Sequence, residues 1–295
     1  MANSLLWVAI ILLIDFDLFA MHFCGLNLDF PCMGWVAALI GLNVSIALFY
    51  RYVRRDDRLC VFINAYNQVI CASIALSAGS YIGAYLSMPL IDKTLIAIDG
   101  ILGFDWRNYV VWLDKHPWLT SALTYSYNSY NIQFAVLLPA LFYSQLAHGQ
   151  RVFMALYFSG LLTLFLATLF PAVGAYVYYT IDPAIFHSFT PQEPTLHQKQ
   201  LLALLNHTTN TINFPAVGII SFPSYHSAIA VALMYAALPY RLLLPVFIPL
   251  NVAMLISTPI AGAHYLTDIL GGIAFALLGI YIAERILPRE KISTT

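Results

Sequence analysis

Charge is what this chain has least of. Only 9% of its 295 residues are Asp, Glu, Lys or Arg, against about a quarter in soluble domains. With 61% hydrophobic residues and a mean hydropathy of +0.78, a soluble domain is excluded and a membrane protein implied. A formal net charge of −1 excludes an overall basic field for nucleic acid. Cysteine is also sparse, at four residues. Cys24 and Cys32 flank the first outward turn and could pair in an oxidising compartment, while Cys60 and Cys71 fall on the third apolar segment; all four read first as small packing residues. Long-period repeats and low-complexity segments are missing too. No Lys or Arg precedes the first apolar run, which favours an uncleaved first helix over a signal peptide.

What is present is a series of apolar runs. A crossing helix needs about 20 mostly apolar residues, and eight crossings are expected near 5–24, 33–50, 59–88, 119–146, 152–180, 222–240, 242–259 and 264–287. The expected fold is an all-α polytopic membrane helix bundle. The few charges orient it. "RYVRRDDR" (51–58) holds four arginines and is cytoplasmic by the positive-inside rule. Alternation then puts both termini, Arg151 and Arg241 inside, and segments 89–118, 181–221 and the turn before His264 outside.

The outer segments are where chemistry can sit. "DGILGFDWRNYVVWLDKHPW" (99–118) mixes Phe104, Trp106, Tyr109, Trp112 and Trp118 with charges, as an interfacial helix does with its rings at headgroup depth. Segment 181–218 is rich in proline, so an irregular start and a short helix near 195–207 are expected. Its His187, His197 and His207 lack ligand spacing, and no metal or cofactor is expected. Asp15 and Asp17 interrupt the first apolar run without an obvious partner.

Two polar clusters stand at the outer ends of apolar runs. "SFPSYHSAIA" (221–230) puts Ser224, Tyr225, His226 and Ser227 at a helix start, where free backbone N–H groups and the dipole favour an anion such as phosphate. In "STPIAGAHYLTDILGG" (257–272), His264 and Asp268 are four apart and share a face, so the carboxylate can hold the ring in one tautomer. Two histidines at one membrane level, one backed by a carboxylate, are the parts of a double-displacement phosphoryl transfer. A lone histidine at a helix end is more often a satisfied interface residue; the pair is harder to explain that way.

"PSYHS" (223–227), and Ser257 followed by "HYLTD" (264–268), resemble the second and third signature motifs of the type 2 phosphatidic acid phosphatase superfamily. The resemblance implies a six-helix core, here over residues 59–287, with 1–58 as about two additional N-terminal helices and 288–295 as a cytoplasmic tail. It implies His264 as the nucleophile, Asp268 as its orienting partner and His226 as the general acid, with Ser224 and neighbouring amides around the phosphoryl oxygens. Tyr225, Ser227 and Ser257 join the expected substrate-binding set.

Departures from that pattern are equally specific. Thr258 stands where the phosphatases have arginine, Tyr225 replaces a common glycine, and no first motif with lysine and an arginine–proline pair exists upstream. A transition state rich in negative charge then lacks a stabilising term worth several kcal/mol. Arg107 and then Lys93 are the candidates to supply it. The departures and "GFDW" (103–106) resemble the inositol phosphorylceramide synthase branch, in which a lipid or polyol hydroxyl accepts the phosphoryl group. The expected function is an integral membrane phosphotransferase or phosphatase acting on a phospholipid or lipid phosphate at the extracytoplasmic side. The alternatives are a plain lipid phosphate phosphatase and a non-catalytic headgroup binder or transporter.

Overall fold

The computed structural model describes residues 2–28, 30–180, 188, 192–212 and 218–287, with the backbone alone at 2, 3, 30–33, 36 and 192–197. In chain order the elements are α1 (Ala2–Cys24), β1 (Asn27–Leu28), α2 (Phe30–Tyr52), α3 (Asp57–Tyr85), α4 (Asp92–Ile101), α5 (Trp106–Asp114), α6 (Pro117–Asn128) and α7 (Tyr130–Ser144). They continue as α8 (Leu146–Leu169), α9 (Ala175–Tyr178), α10 (Gln192–Leu205), β2 (Thr211–Ile212), α11 (Tyr225–Ala237), α12 (Leu244–Ala261) and α13 (Leu266–Ile286). Strand is confined, among the described residues, to the parallel pairing of Asn27 with Thr211 and Leu28 with Ile212. The all-α polytopic bundle is the fold.

Five helices are long and apolar enough to cross a membrane among the described residues: α1, from Ser4, and α3, α8, α12 and α13. Ala37–Tyr52 of α2 and Tyr225–Ala237 are shorter apolar helices. Hydrophobicity places these segments, and local chemistry ends them. Asp56 accepts from the N–H groups of Arg58 and Leu59 and starts α3, as an N-cap carboxylate does.

Three expected boundaries are corrected. The run at 152–180 is helical from Leu146 and stops at Leu169, because Pro171 has no N–H and biases Phe170 out of the helical region. The run at 119–146 is two helices divided at Ser129. There the Ser126 and Ser129 hydroxyls bond back to the carbonyls of Ala122 and Ser126, competing with the helical ladder. The aromatic stretch 99–118 is not one interfacial helix. Gly103, at φ +76°, ends α4, and Asp105 caps α5 by accepting from Asn108 N–H at 2.8 Å.

Trp106 corrects the interfacial reading of that stretch further, since it is 2% exposed. α12 ends at Ala261, and the carbonyls of its last turn have no N–H four residues on within the helix. Trp106 Nε1–H donates to Pro259 O at 3.0 Å, Tyr109 OH to Ile256 O at 2.6 Å and Tyr176 OH to Ile260 O at 2.9 Å. Trp112 and Trp118 do remain exposed. Cys24 is half-buried beside Met21 and Leu26, while the Cys32 side chain lies outside the described residues. His187 and the His197 side chain lie outside them as well.

Around these helices the packing is close. A Cβ on Gly272 would lie 2.1 Å from Ser224 O, and one on Gly279 2.5 Å from Ala155 O. Only glycine lets α13 approach α11 and α8 so nearly, the usual solution where lipid supplies no hydrophobic drive between helices. Both α1 and α2 pack on α3, and α3 in turn packs on α8.

Candidate active site

The groups of the two sequence clusters meet at the N-terminal end of α13. Asp268, in its first turn, accepts from the Tyr265 backbone N–H at 2.9 Å and lies 3.2 Å from His264 Nδ1 through the same oxygen, Oδ2. The four-residue spacing thus produces the expected contact. Its other oxygen, Oδ1, has no hydrogen-bond partner among the described residues. Asp268 also presents its backbone carbonyl to the Ser224 N–H at 3.0 Å, so the two sequence clusters are joined directly.

Ser224 is the N-cap of α11, its Oγ accepting from Ser227 N–H at 3.4 Å. His226 in the first turn stacks on Tyr127 of α6, ring centroids 4.5 Å apart at 22°, and meets Tyr130 edge-on at 5.3 Å. Both histidines, with Tyr225, Tyr127 and Tyr130, line a single cavity of about 430 Å³, the size of a small-molecule site. Gly262 sits where the groups converge: a Cβ there would lie 2.5 Å from His264 Cδ2 and 2.7 Å from the Tyr127 hydroxyl.

The imidazole of His264 is buried, and burial pushes its pKa down to about 4, against the raising effect of its hydrogen bond to the Ser221 backbone. At neutral pH the ring is therefore uncharged. In the tautomer that carries its single N–H on Nδ1 toward Asp268, Nε2 holds the lone pair that can meet an electrophile.

Two carboxylates that the sequence did not single out hold this segment in place. Asp92 of α4 accepts from Val173 N–H and Gly174 N–H at 3.1 Å each, and from Tyr265 OH at 2.9 Å. Asp99, seven residues on, accepts from Leu266 N–H and Thr267 N–H at 2.8 Å each. It thereby caps two of the free donors of α13. No local pattern announces these contacts, which close loops of more than 80 residues.

The remaining expected residues fall elsewhere. Ser227 and Ser257 are fully buried; Ser257 Oγ and Thr258 Oγ1 donate to Met254 O, and Ser227 Oγ has no partner among the described residues. Neither Arg107 nor Lys93 lines the cavity. Both are exposed, and the Arg107 guanidinium lies over the Tyr179 ring at 4.5 Å.

A family model of the PAP2 superfamily matches residues 93–282, well over half of the chain. The chain belongs to the PAP2 superfamily. No curated protein and no solved structure matches it. Both histidines and Asp268 fall inside the PAP2 match, and membership makes phosphate esters the substrates to consider and phosphatase or phosphotransferase the activity. The PAP2 match also begins after α3, although α3 supplies part of the cavity wall through Ser73, Leu76, Ser77 and Ser80.

Proposed function

We propose that the protein is a membrane phosphotransferase acting on lipid-linked phosphate at the extracytoplasmic face, through a phosphohistidine at His264. The observation that carries the reading is the His264 Nδ1 to Asp268 Oδ2 contact of 3.2 Å in a cavity that His226 also lines. In the first step His264 Nε2 attacks phosphorus and a new N–P bond forms. The P–O bond to the leaving group breaks, and the departing oxygen takes a proton from His226. In the second step an acceptor hydroxyl attacks phosphorus, gives its proton to His226, and the N–P bond breaks. Asp268 fixes the tautomer and balances the imidazolium character that develops on His264.

The first turn of α11, with Tyr225 and His226 on the cavity wall, contributes the positive end of its dipole to the phosphoryl oxygens. Among the described residues no Lys or Arg lines the cavity. A phosphodiester, with one negative charge, suits such a site better than a phosphomonoester with two. That supports the inositol phosphorylceramide synthase-type branch over a plain lipid phosphate phosphatase, as do Tyr225 and Thr258 at their motif positions. Arg107 and Lys93 are proposed to draw anionic headgroups to that side of the membrane.

The test is product analysis with purified protein in detergent, offered phospholipids and lipid phosphates with and without a polyol. A new phosphodiester that forms only with an acceptor and disappears in His264→Ala is the expected result. Free phosphate alone would make the protein a phosphatase. Headgroup binding without turnover in any form would sink the catalytic reading.

A further inference from the structure

α6 ends at Asn128 and α7 begins at Tyr130, so the break at Ser129 has a tyrosine close on each side. Both rings close on one imidazole: Tyr127 covers the face of His226 at 4.5 Å, and Tyr130 meets it edge-on at 5.3 Å. The stack also fixes where the Tyr127 hydroxyl lies, since two torsions place a phenol ring. That hydroxyl reaches past His226 to the other histidine. A Cβ on Gly262 would lie 2.7 Å from the Tyr127 hydroxyl and 3.0 Å from His264 Nε2, so both atoms stand around one point. A single side chain therefore packs on the ring of one histidine and sets its O–H beside Nε2 of the other. Tyr127, Gly262 and both histidines line the same cavity.

Phosphoryl chemistry in this cavity needs such a donor. With no Lys or Arg among the described lining residues, negative charge that builds on phosphoryl oxygens must be met by neutral N–H and O–H groups. Other hydroxyls nearby are already committed. Tyr225 OH donates to Leu156 O at 3.0 Å, and Ser257 Oγ and Thr258 Oγ1 donate to Met254 O at 2.7 and 2.8 Å. The geometry points to Tyr127 as a further catalytic residue, whose hydroxyl donates a hydrogen bond to a phosphoryl oxygen held at His264 Nε2. The phenol keeps its proton throughout: no bond to Tyr127 forms or breaks, and the hydrogen bond strengthens as charge gathers on the oxygen. The catalytic role rests on the phosphoryl-transfer reading of the cavity. The contact with an oxyanion beside His264 does not.

Tyr127→Phe removes the hydroxyl and keeps the ring on His226, so it separates the two contacts. Two measurements are made on full-length protein in detergent. In the product assay kcat is expected to fall about ten- to a hundredfold, with KM and the melting temperature nearly unchanged. A stacking role alone would leave kcat where it is. The second measurement needs no turnover: binding of inorganic vanadate, which takes the five-coordinate geometry of a phosphoryl group in transfer, is followed by equilibrium dialysis. Saturable binding is expected, weakened about tenfold in Tyr127→Phe by the loss of one hydrogen bond to a charged group. No vanadate binding by the wild type overturns the proposal, and so does equal binding by Tyr127→Phe. Vanadate binding that depends on Tyr127 in a protein without turnover would remove the proposed function and keep the oxyanion contact. Turnover that is lost in His264→Ala but runs at the wild-type rate in Tyr127→Phe would do the reverse.

Discussion

At the scale of single residues, the site depends on how little room surrounds His264. Gly262→Ala would drive a methyl into both the imidazole and the Tyr127 hydroxyl, so a fall in turnover with the protein still folded is expected, measured as product formed per monodisperse protein. Asp268→Asn is expected to cost about a hundredfold or more in turnover, because an amide can select the wrong tautomer. A headgroup binder would tolerate that change, so unchanged binding without any turnover in the wild type would decide for the binder. The acid limb of the rate profile is also set here. Since burial lowers the His264 pKa to about 4, the nucleophile stays unprotonated well below 6.5, and the acid limb due to this group belongs near pH 4. The stability linkage has the same sign: His264's contribution is complete above about pH 6.5 and is lost as pH falls through 4, where the unfolded chain binds the proton first. A His264 ring titration centred near 6.5, followed by NMR and identified by its loss in His264→Gln, would contradict the buried, neutral ring.

At the scale of elements, α4 is a clamp. Its two buried aspartates hold the 173–174 turn and the start of α13, and so set the height of His264. Asp99→Asn weakens two caps and is expected to cost about 1–2 kcal/mol, read as a lower melting temperature in detergent. Trp106→Phe leaves the Pro259 carbonyl without its indole donor and is expected to cost a similar amount. What the sequence showed and hid follows from distance along the chain. His264 and Asp268 were legible because one helical turn brings them together, and Ser224 because an N-cap precedes its helix. Asp92, Asp99, Tyr127 and Tyr130 were not, because each acts on a residue roughly 80 to 170 positions away and carries no local mark. Helix ends were misread where the breaker lay inside an apolar run, as at Pro171 and at Ser129. The aromatic stretch was read as a surface feature because composition cannot distinguish a ring that floats at headgroup depth from one that caps α12.

At the scale of the whole molecule, the cavity is assembled from parts with different attachments. α11 and α13 are tied backbone to backbone through Ser224 and Asp268 and pressed together at Gly272, so both histidines belong to one rigid block. Gly272→Val is expected to separate them and abolish activity, with a loss of thermal stability measurable in detergent. The orientation is open to direct reading. In a cysteine-free background, Lys115→Cys should react with an impermeant maleimide added outside, and Arg54→Cys only after permeabilisation; the reverse would place the site on the cytoplasmic face. α3 stands apart from that block. It carries neither histidine, lies outside the residues that match PAP2, and holds α1 and α2 on its other sides. A helix placed so can exchange the side chains it shows to the cavity without disturbing the attacking group, and the same reaction can thereby be handed from one partner molecule to another over evolutionary time.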